Sequence, residues 1–160
     1  MDYHELNEMI ESLKKLLVSD SFLVLPNSGK SATLEAKGRN YDFLLDINRQ
    51  SYRRPKCTFQ LRDKDNKSRI LFRFDLIGKN HPNPPGNYEY SDMIIPCPHV
   101  HIATHPLGTA YAYPLNAKEV NIQLDENDYE DIISALQSFL KRINIANRND
   151  FQYTLNEEIF

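Results

Sequence analysis

Four of the five histidines of this chain and six of its nine prolines lie within residues 81–106. The four are His81, His99, His101 and His105. Imidazole gains or loses a proton near neutral pH, and it is also the commonest metal ligand among side chains. Histidines clustered in this way are rarely needed for folding alone. The segment from residue 69 to residue 115 is therefore where the sequence places a candidate site.

Two charged residues precede these histidines in a run with the alternation of a β-strand. In residues 69–77 one face is uniformly apolar, whereas Arg73 and Asp75 share the other face with two apolar residues. That second face is expected to be half solvated or to line a cleft. Further on, His99 and His101 occupy one face of a predicted strand, with α carbons about 7 Å apart. This spacing makes them neighbours in space.

Three interpretations of the cluster compete. In the first, a metal site, His99 and His101 supply two neutral nitrogen ligands from one strand face. His81, His105 or Asp75 would complete the coordination shell, and zinc is the expected ion. The glutamate and glycine positions that would make the motif resemble a cupin are absent from the sequence.

In the second interpretation the histidines act as general acid and base, and no metal or other cofactor is needed. Metal-independent RNA cleavage requires one group to remove the 2′-hydroxyl proton, another to protonate the leaving oxygen, and a cation to hold the phosphate. The catalytic candidates are Arg73, Asp75, His81, His99 and His101. Nearby tyrosines could stack on a base. The substrate-binding candidates are Tyr111, Tyr113 and His105.

The third interpretation is structural. Histidines and prolines would order the long connection at residues 78–97 through hydrogen bonds and the stiffness of proline, and the exposed surface would serve a protein partner. A connection of this length without periodicity is itself suspected of function. The residues alone leave the three interpretations open.

Length and composition bound the remaining possibilities. A chain of 160 residues is expected to form a single domain, 1–160, with its own core. The formal net charge of -3 argues against a nucleic-acid binder dominated by electrostatics. A local basic cluster could still form a small phosphate-facing patch, or else a solvated loop face. Its members are Arg49, Arg53, Arg54 and Lys56.

Cysteine usage and hydrophobicity exclude further classes. Cys57 and Cys97 provide neither a CxxC pair nor a disulfide framework, which excludes a zinc ribbon and a thioredoxin-like motif. No apolar run approaches the roughly 18 residues that a membrane span requires, and the first residues are polar and acidic. We therefore expect a cytoplasmic protein with no export signal, no anchor and no membrane partner.

Hydrophobic periodicity predicts two helices. Leucines and an isoleucine spaced by four, three and four residues indicate a helix over residues 4–18. A second apolar stripe follows Asp125, a candidate N-cap, and predicts a helix over about residues 126–143.

Alternation and turn residues predict β-structure between and after these helices. A short strand or loop is expected at 22–25 and an edge strand at 151–155. The other predicted strands are 32–37, 41–48, 57–62, 69–77, 99–103 and 111–115. The fold class that follows is α+β: a curved antiparallel sheet of five to seven strands with one N-terminal and one C-terminal helix.

The ordered motifs of the candidate site resemble known families. Arg73-Phe-Asp75, then His81-Pro82, then Pro98-His-Val-His101 is similar to the arginine–aromatic–aspartate, histidine and proline–histidine–x–histidine succession of TumE-type proteins. These are the toxins of bacterial toxin–antitoxin pairs. The fuller stretch, with Tyr-Pro-Leu at 113–115 and the closing helix, also resembles a family of small phage and mobile-element proteins. The resemblance implies a role in conflict or mobile-element biology, with RNA cleavage held in check by a partner.

The sequence thus predicts a toxin-like mobile-element protein that acts on RNA by metal-independent histidine and arginine chemistry. The alternative is a non-enzymatic phage or mobile-element protein that binds and inhibits a host defence complex, such as a CRISPR nuclease. The expected partners are an RNA substrate and a protein, either an antitoxin or a host defence protein.

Overall fold

The computed structural model describes residues 2–51 and 54–155. Helix α1 spans Tyr3–Glu11 and helix α2 spans Ile132–Arg142. Short 3-10 helices occur at Gly108–Ala110, Glu126–Asp128 and Arg148–Asp150. The strands of the described residues are β1 (Lys14–Leu16), β2 (Phe22–Leu25), β3 (Ser31–Gly38), β4 (Asp42–Asn48), β5 (Cys57–Asp63), β6 (Ile70–Ile77), β7 (His81–Pro82), β8 (Ile94–Ile95), β9 (His99–Ile102), β10 (Ala112–Pro114) and β11 (Gln152–Leu155).

One seven-stranded sheet organises the molecule, and it confirms the predicted α+β class. Its strand order is β1-β3-β4-β5-β6-β9-β10, and every neighbouring pair is antiparallel. Strands β3 to β6 follow one another as hairpins. The chain then leaves the sheet after β6 and returns as β9, so the proline-rich connection lies next to β6 and β9.

The core lies between one face of this sheet and helix α2. Phe59 and Phe72 project from β5 and β6 towards Phe139 of the helix, with ring centroids 5.9 Å apart in each case. All three rings are fully buried. Successive side chains of a strand point to opposite faces of the sheet. The residues that alternate with these aromatics along β5 and β6 must therefore lie on the other face. That face carries the polar residues of the candidate site.

The predicted helix over residues 4–18 is wrong in its C-terminal half. Helix α1 ends at Glu11, and the chain continues as β1, which pairs with β3. Leu13 and Leu17, which completed the predicted apolar stripe, are 68% and 52% exposed, whereas Lys14 is buried. Pairing with the available edge of the sheet therefore outweighs the local helical pattern.

Lys14 is a buried cation that joins the ends of both helices. Its Nζ donates to the carbonyl oxygens of Ile10 and Ser12 at 2.7 Å and of Ile143 at 2.8 Å. Burial lowers the pKa of Lys14 to about 7, but only the protonated amine has three N–H donors for three carbonyls. These carbonyls terminate α1 and α2, where a positive charge also offsets the helix dipole.

The C-terminal helix begins later than predicted over residues 126–143. Helix α2 starts at Ile132, and its N-cap is Asp131, whose carboxylate accepts from the Ser134 backbone N–H at 3.1 Å. The predicted N-cap at Asp125 is therefore wrong, since its side chain makes no capping bond to the short 3-10 helix that follows it. Neither helix of the described residues is long and apolar enough to cross a membrane.

Two small sheets complete the fold of residues 2–51 and 54–155. The predicted strands near 22–25 and 151–155 are confirmed as β2 and β11, but they pair with each other in parallel and stay outside the large sheet. The connection at 78–97 is not wholly irregular, because β7 pairs with β8 within it. That short pairing fixes the position of His81.

Candidate active site

The open face of the sheet brings the predicted catalytic residues together. Arg73 lies opposite His101, and Asp75 lies opposite His99, across the pairing of β6 with β9. Residues that lie opposite each other in an antiparallel pair share a face. His81 reaches the same place from β7, with its ring centroid 4.8 Å from that of His101 and 6.1 Å from that of His99. The five residues therefore converge.

Asp75 is the centre of this cluster. Its Oδ1 accepts from Arg73 Nε at 2.9 Å, and its Oδ2 accepts from Arg73 Nη2 at 3.0 Å and from His99 Nε2 at 2.9 Å. Burial opposes ionisation of this carboxyl group, but the hydrogen bonds from His99 and Arg73 outweigh it and hold the pKa of Asp75 well below its usual range. The carboxylate is therefore charged at every physiological pH.

His101 is held in one tautomer. Its Nδ1 lies 2.7 Å from the Thr109 carbonyl oxygen, which can only accept, so Nδ1 carries the proton. Its Nε2 then accepts from Arg73 Nη2 at 2.9 Å. Burial and the Arg73 charge together lower the pKa of His101 and outweigh the opposing effect of Asp75. His101 is thus a neutral ring that fixes the position of Arg73.

His99 has the opposite charge state. Burial alone would disfavour the imidazolium, but the hydrogen bond to Asp75 and the contact with Cys97 outweigh it and raise the pKa of His99 to about 9. The ring is 1% exposed. His99 therefore places a buried positive charge beside Asp75 at neutral pH, while His101 two residues later is neutral.

His81 is the most accessible of the three converging imidazoles. Its Nε2 donates to the Ala110 carbonyl oxygen at 2.8 Å, so in the neutral ring Nδ1 is the nitrogen that can take up a proton. Asn83, two residues further on, anchors this segment by bonding both backbone groups of Ala112, at 2.7 and 2.8 Å. The half-buried His81 ring is thus a positioned base with a free nitrogen.

A cleft of about 770 Å³ opens on the cluster. Arg73, Asp75, His81 and His99 all line it, which confirms that the second face of the 69–77 strand borders a cleft. The described part of its wall has one carboxylate and four basic side chains, although the whole chain carries a net negative charge. The basic residues are Arg54, Lys56, Arg73 and Lys79. Such a wall favours an anionic ligand.

The basic cluster predicted around residue 53 is only partly at this cleft. Arg54 and Lys56 line it. Arg49 instead donates through Nη1 to the Pro26 carbonyl oxygen at 2.9 Å. Arg53 lies outside the described residues. The cleft therefore receives two cations from this cluster in the described part of the chain.

Three residues of the cluster could offer ligands to a metal ion. Ligand atoms of Asp75, His99 and His101 lie within 4.8 Å of one another. In this arrangement, however, His101 Nε2 accepts from Arg73, and His99 Nε2 donates to Asp75. A dication would have to displace both contacts and lie beside the guanidinium. His81, the third ligand of the predicted zinc alternative, uses Nε2 on a backbone carbonyl and keeps Nδ1 free among the described residues. Metal binding would therefore require His99 and His101 to give up these hydrogen bonds.

The predicted substrate-binding aromatics lie in a separate stack. Tyr111 is 1% exposed, and its ring stacks on His105 at 3.7 Å with an interplanar angle of 4°. The Tyr111 hydroxyl accepts from the Tyr90 backbone N–H at 2.8 Å. Tyr113 packs edge-on against Tyr111, and burial raises its pKa to about 12. None of the three predicted residues lines the cleft in the described structure. Base stacking by Tyr111 would require it to leave this packing.

Sequence reasoning missed Cys97 and two backbone carbonyls. Cys97 Sγ lies 3.6 Å from His99 Nδ1 and 3.6 Å from the Lys79 carbonyl oxygen. The separation of two residues between Cys97 and His99 was the available signal. The carbonyls of Thr109 and Ala110 orient two of the histidines, but no side-chain pattern marks a backbone acceptor.

Comparison with known proteins places the chain in a family. The profile of a family of unknown function (DUF6978) matches residues 1–145. The chain belongs to this family. The matched range contains the whole cluster from Arg73 to His101, so the candidate site lies in the part of the chain that the DUF6978 profile covers. No curated protein and no solved structure matches the chain.

Proposed function

We propose that this DUF6978 protein cleaves RNA in the cleft beside β6, β7 and β9, without a metal ion. The observation that supports the proposal is the convergence of His81 and His99 on the Arg73–Asp75 pair in a cleft with a basic wall. The similarity of the ordered motifs to TumE-type toxins supports the same reaction. We place the protein in the cytoplasm, as a mobile-element toxin whose activity an antitoxin protein restrains.

His81 is the proposed general base and His99 the proposed general acid. His81 takes the 2′-hydroxyl proton at Nδ1, the 2′-oxygen attacks phosphorus, and the bond between phosphorus and the 5′-oxygen breaks. The leaving 5′-oxygen takes the Nδ1 proton of the His99 imidazolium in place of the 3.6 Å contact of Nδ1 with Cys97 Sγ, and a pKa of about 9 keeps this imidazolium charged at neutral pH. The products are a 2′,3′-cyclic phosphate and a free 5′-hydroxyl.

Arg73 is the proposed phosphate ligand. Its Nε and Nη2 donate to Asp75 and His101, and Nη1 has no protein partner in the described part of the chain. Two N–H donors of a fixed guanidinium are therefore available to the charge that develops on the phosphate oxygens. Asp75 and His101 act through Arg73 and His99, so they are positioning residues.

The proposal is tested with His81→Gln and a matched control. Purified protein is incubated with single-stranded RNA in the presence of a chelator, and cleavage is followed on gels. His81→Gln should lower the rate by about 100-fold or more, because a positioned base contributes at least that much. His4→Gln removes an exposed histidine from α1 and should leave the rate unchanged. Equal rates for His81→Gln and the unmodified protein would show that the assigned base is wrong.

A second candidate, a protein that binds and inhibits a host defence complex, is favoured by strand β2. Phe22 and Val24 project outwards and are 46% and 52% exposed. In the described residues β2 pairs only with β11, so one edge of an apolar strand is open for pairing. In this case Phe22→Ser with Val24→Ser should abolish inhibition of the defence complex, and His81→Gln should not. If His81→Gln abolishes the effect and Phe22→Ser with Val24→Ser does not, the result supports the ribonuclease.

A further inference from the structure

A second hollow adjoins the cleft on the same face of the sheet. Its volume is about 540 Å³, close to the size of a pocket for a small ligand. The two hollows share one wall, formed by Lys56, Thr58, Arg73 and Asp75. Together they form a trough that runs across β3, β4, β5, β6 and β9. Four strand spacings of about 4.8 Å make this trough about 19 Å long.

The charge of the trough differs from that of the whole chain. Among the described residues, six basic side chains and two carboxylates line it. Asp46, the carboxylate of the second hollow, accepts from Arg62 Nε at 2.6 Å, Gln60 Nε2 at 2.7 Å and Thr33 Oγ1 at 2.7 Å. Both of its oxygens are thus occupied. The basic residues without such a partner in the second hollow, Lys56 and Lys67, are exposed and give it a positive charge.

We infer that the substrate of the proposed reaction is a single strand of RNA, bound along this trough with its scissile phosphate at Arg73 and the adjoining nucleotides in the second hollow. This inference rests on the proposed function. His99 lies on the floor of the trough with 1% of its side chain exposed, and the neighbouring Asp75 side chain is 14% exposed. A duplex holds its phosphates on a stiff rod, whereas a single strand can bend down to the floor.

The lining also predicts how the strand is recognised. Apart from the two histidines, no aromatic ring lines either hollow in the described residues. Stacking platforms are the usual way to hold bases of a single strand, so their absence leaves the backbone as the main contact. Lysine, arginine, threonine and glutamine side chains bind phosphate and sugar oxygens and carry no base information. The trough therefore binds RNA with little sequence preference.

The experiment measures binding of cleavage-resistant RNA of two lengths. The probes are fluorescein-labelled 2′-O-methyl oligouridines, a dinucleotide and an octanucleotide, which lack the attacking hydroxyl. The octanucleotide should bind about tenfold tighter than the dinucleotide, because it makes additional phosphate contacts. An octanucleotide annealed to its complement should compete poorly for the same protein.

Lys67→Gln and Lys118→Gln are the matched variants. Lys67 lines the second hollow and, in the described part of the chain, contributes only its backbone carbonyl to the fold, where Arg62 Nη1 donates to it at 3.2 Å. Lys67→Gln should weaken octanucleotide binding about threefold, leave dinucleotide binding unchanged, and reduce the salt slope by about 0.7. Lys118 is exposed and lines neither hollow, so Lys118→Gln should change neither affinity.

Two results would overturn the trough: equal affinity for both lengths, or octanucleotide binding that Lys67→Gln leaves unchanged. Duplex that competes as well as single strand would overturn the substrate class. Failure of the proposed chemistry is distinguishable from these. If binding depends on length and on Lys67 but unmodified RNA stays intact, the proposed RNA-binding trough is supported and the proposed cleavage reaction is wrong. If RNA is cleaved but binding does not depend on length, the proposed trough is wrong and the proposed reaction is supported.

Discussion

Replacement of Asp75 by asparagine should remove the charge that keeps His99 protonated. The pKa of His99 is raised from 6.5 to about 9, which corresponds to about 3 kcal/mol of preference for the imidazolium. In Asp75→Asn the burial of His99 and its contact with Cys97 remain, while the carboxylate is gone. The pKa of His99 should therefore fall well below 9 in the variant.

The assay is a pH titration of the histidine side chains by NMR. Asp46→Asn is the matched control, because Asp46 is the buried carboxylate of the neighbouring network with Thr33, Gln60 and Arg62. That control should leave the His99 titration unchanged. A His99 pKa near 6.5 in the unmodified protein, or near 9 in Asp75→Asn, would refute the reasoning.

The same pKa predicts a pH dependence of stability. The folded-state pKa of His99 lies above its unfolded value, so its contribution is fully present below pH 6.5 and is lost as pH rises through about 9. The free energy of unfolding should fall by up to about 3 kcal/mol across this window from His99 alone. Asp75 adds no slope there, since its lowered pKa makes its contribution constant above its unfolded value. Denaturant unfolding at both ends of the window should show this loss as a difference between the unmodified protein and Asp75→Asn, because the lowered pKa of Lys14 changes the stability of both proteins in the same window.

Two further predictions concern Lys14 and the two cysteines. Lys14→Met leaves three helix-terminal carbonyls without a donor and should lower the free energy of unfolding by about 3 kcal/mol in denaturant titrations. Lys15→Met changes the exposed neighbour and should have little effect. Iodoacetamide should label the half-buried Cys97 of the native protein much faster than Cys57, which is fully buried and whose pKa is raised to about 12 by burial. Peptide mapping measures both rates, and equal labelling of the two cysteines would contradict the structure.

Strand alternation predicted the part of the site that lies within the sheet. Arg73 and Asp75 are two residues apart, as are His99 and His101, so each pair had to share a face. The register of β6 against β9 then decided that the two pairs meet. A shift of one residue would have sent the histidines to the core, and no local pattern fixes this register.

Long-range contacts account for the elements that the sequence did not predict. The stripe of Leu13 and Leu17 indicates a helix, but an available sheet edge and the carbonyl cage around Lys14 turn that segment into β1. Likewise, the stack of Tyr111 on His105 depends on how the loop after β9 folds back. The spacing of apolar residues within one segment cannot predict contacts with distant segments.

The most direct test of the account is the identity of the product that the unmodified protein forms from RNA in the presence of a chelator. A uridine-containing dinucleotide is incubated at neutral pH and the products are separated by chromatography. The geometry of His81, Arg73 and His99 predicts a 2′,3′-cyclic phosphate and a nucleoside with a free 5′-hydroxyl. An intact dinucleotide, or cleavage that depends on an added metal ion, would contradict it.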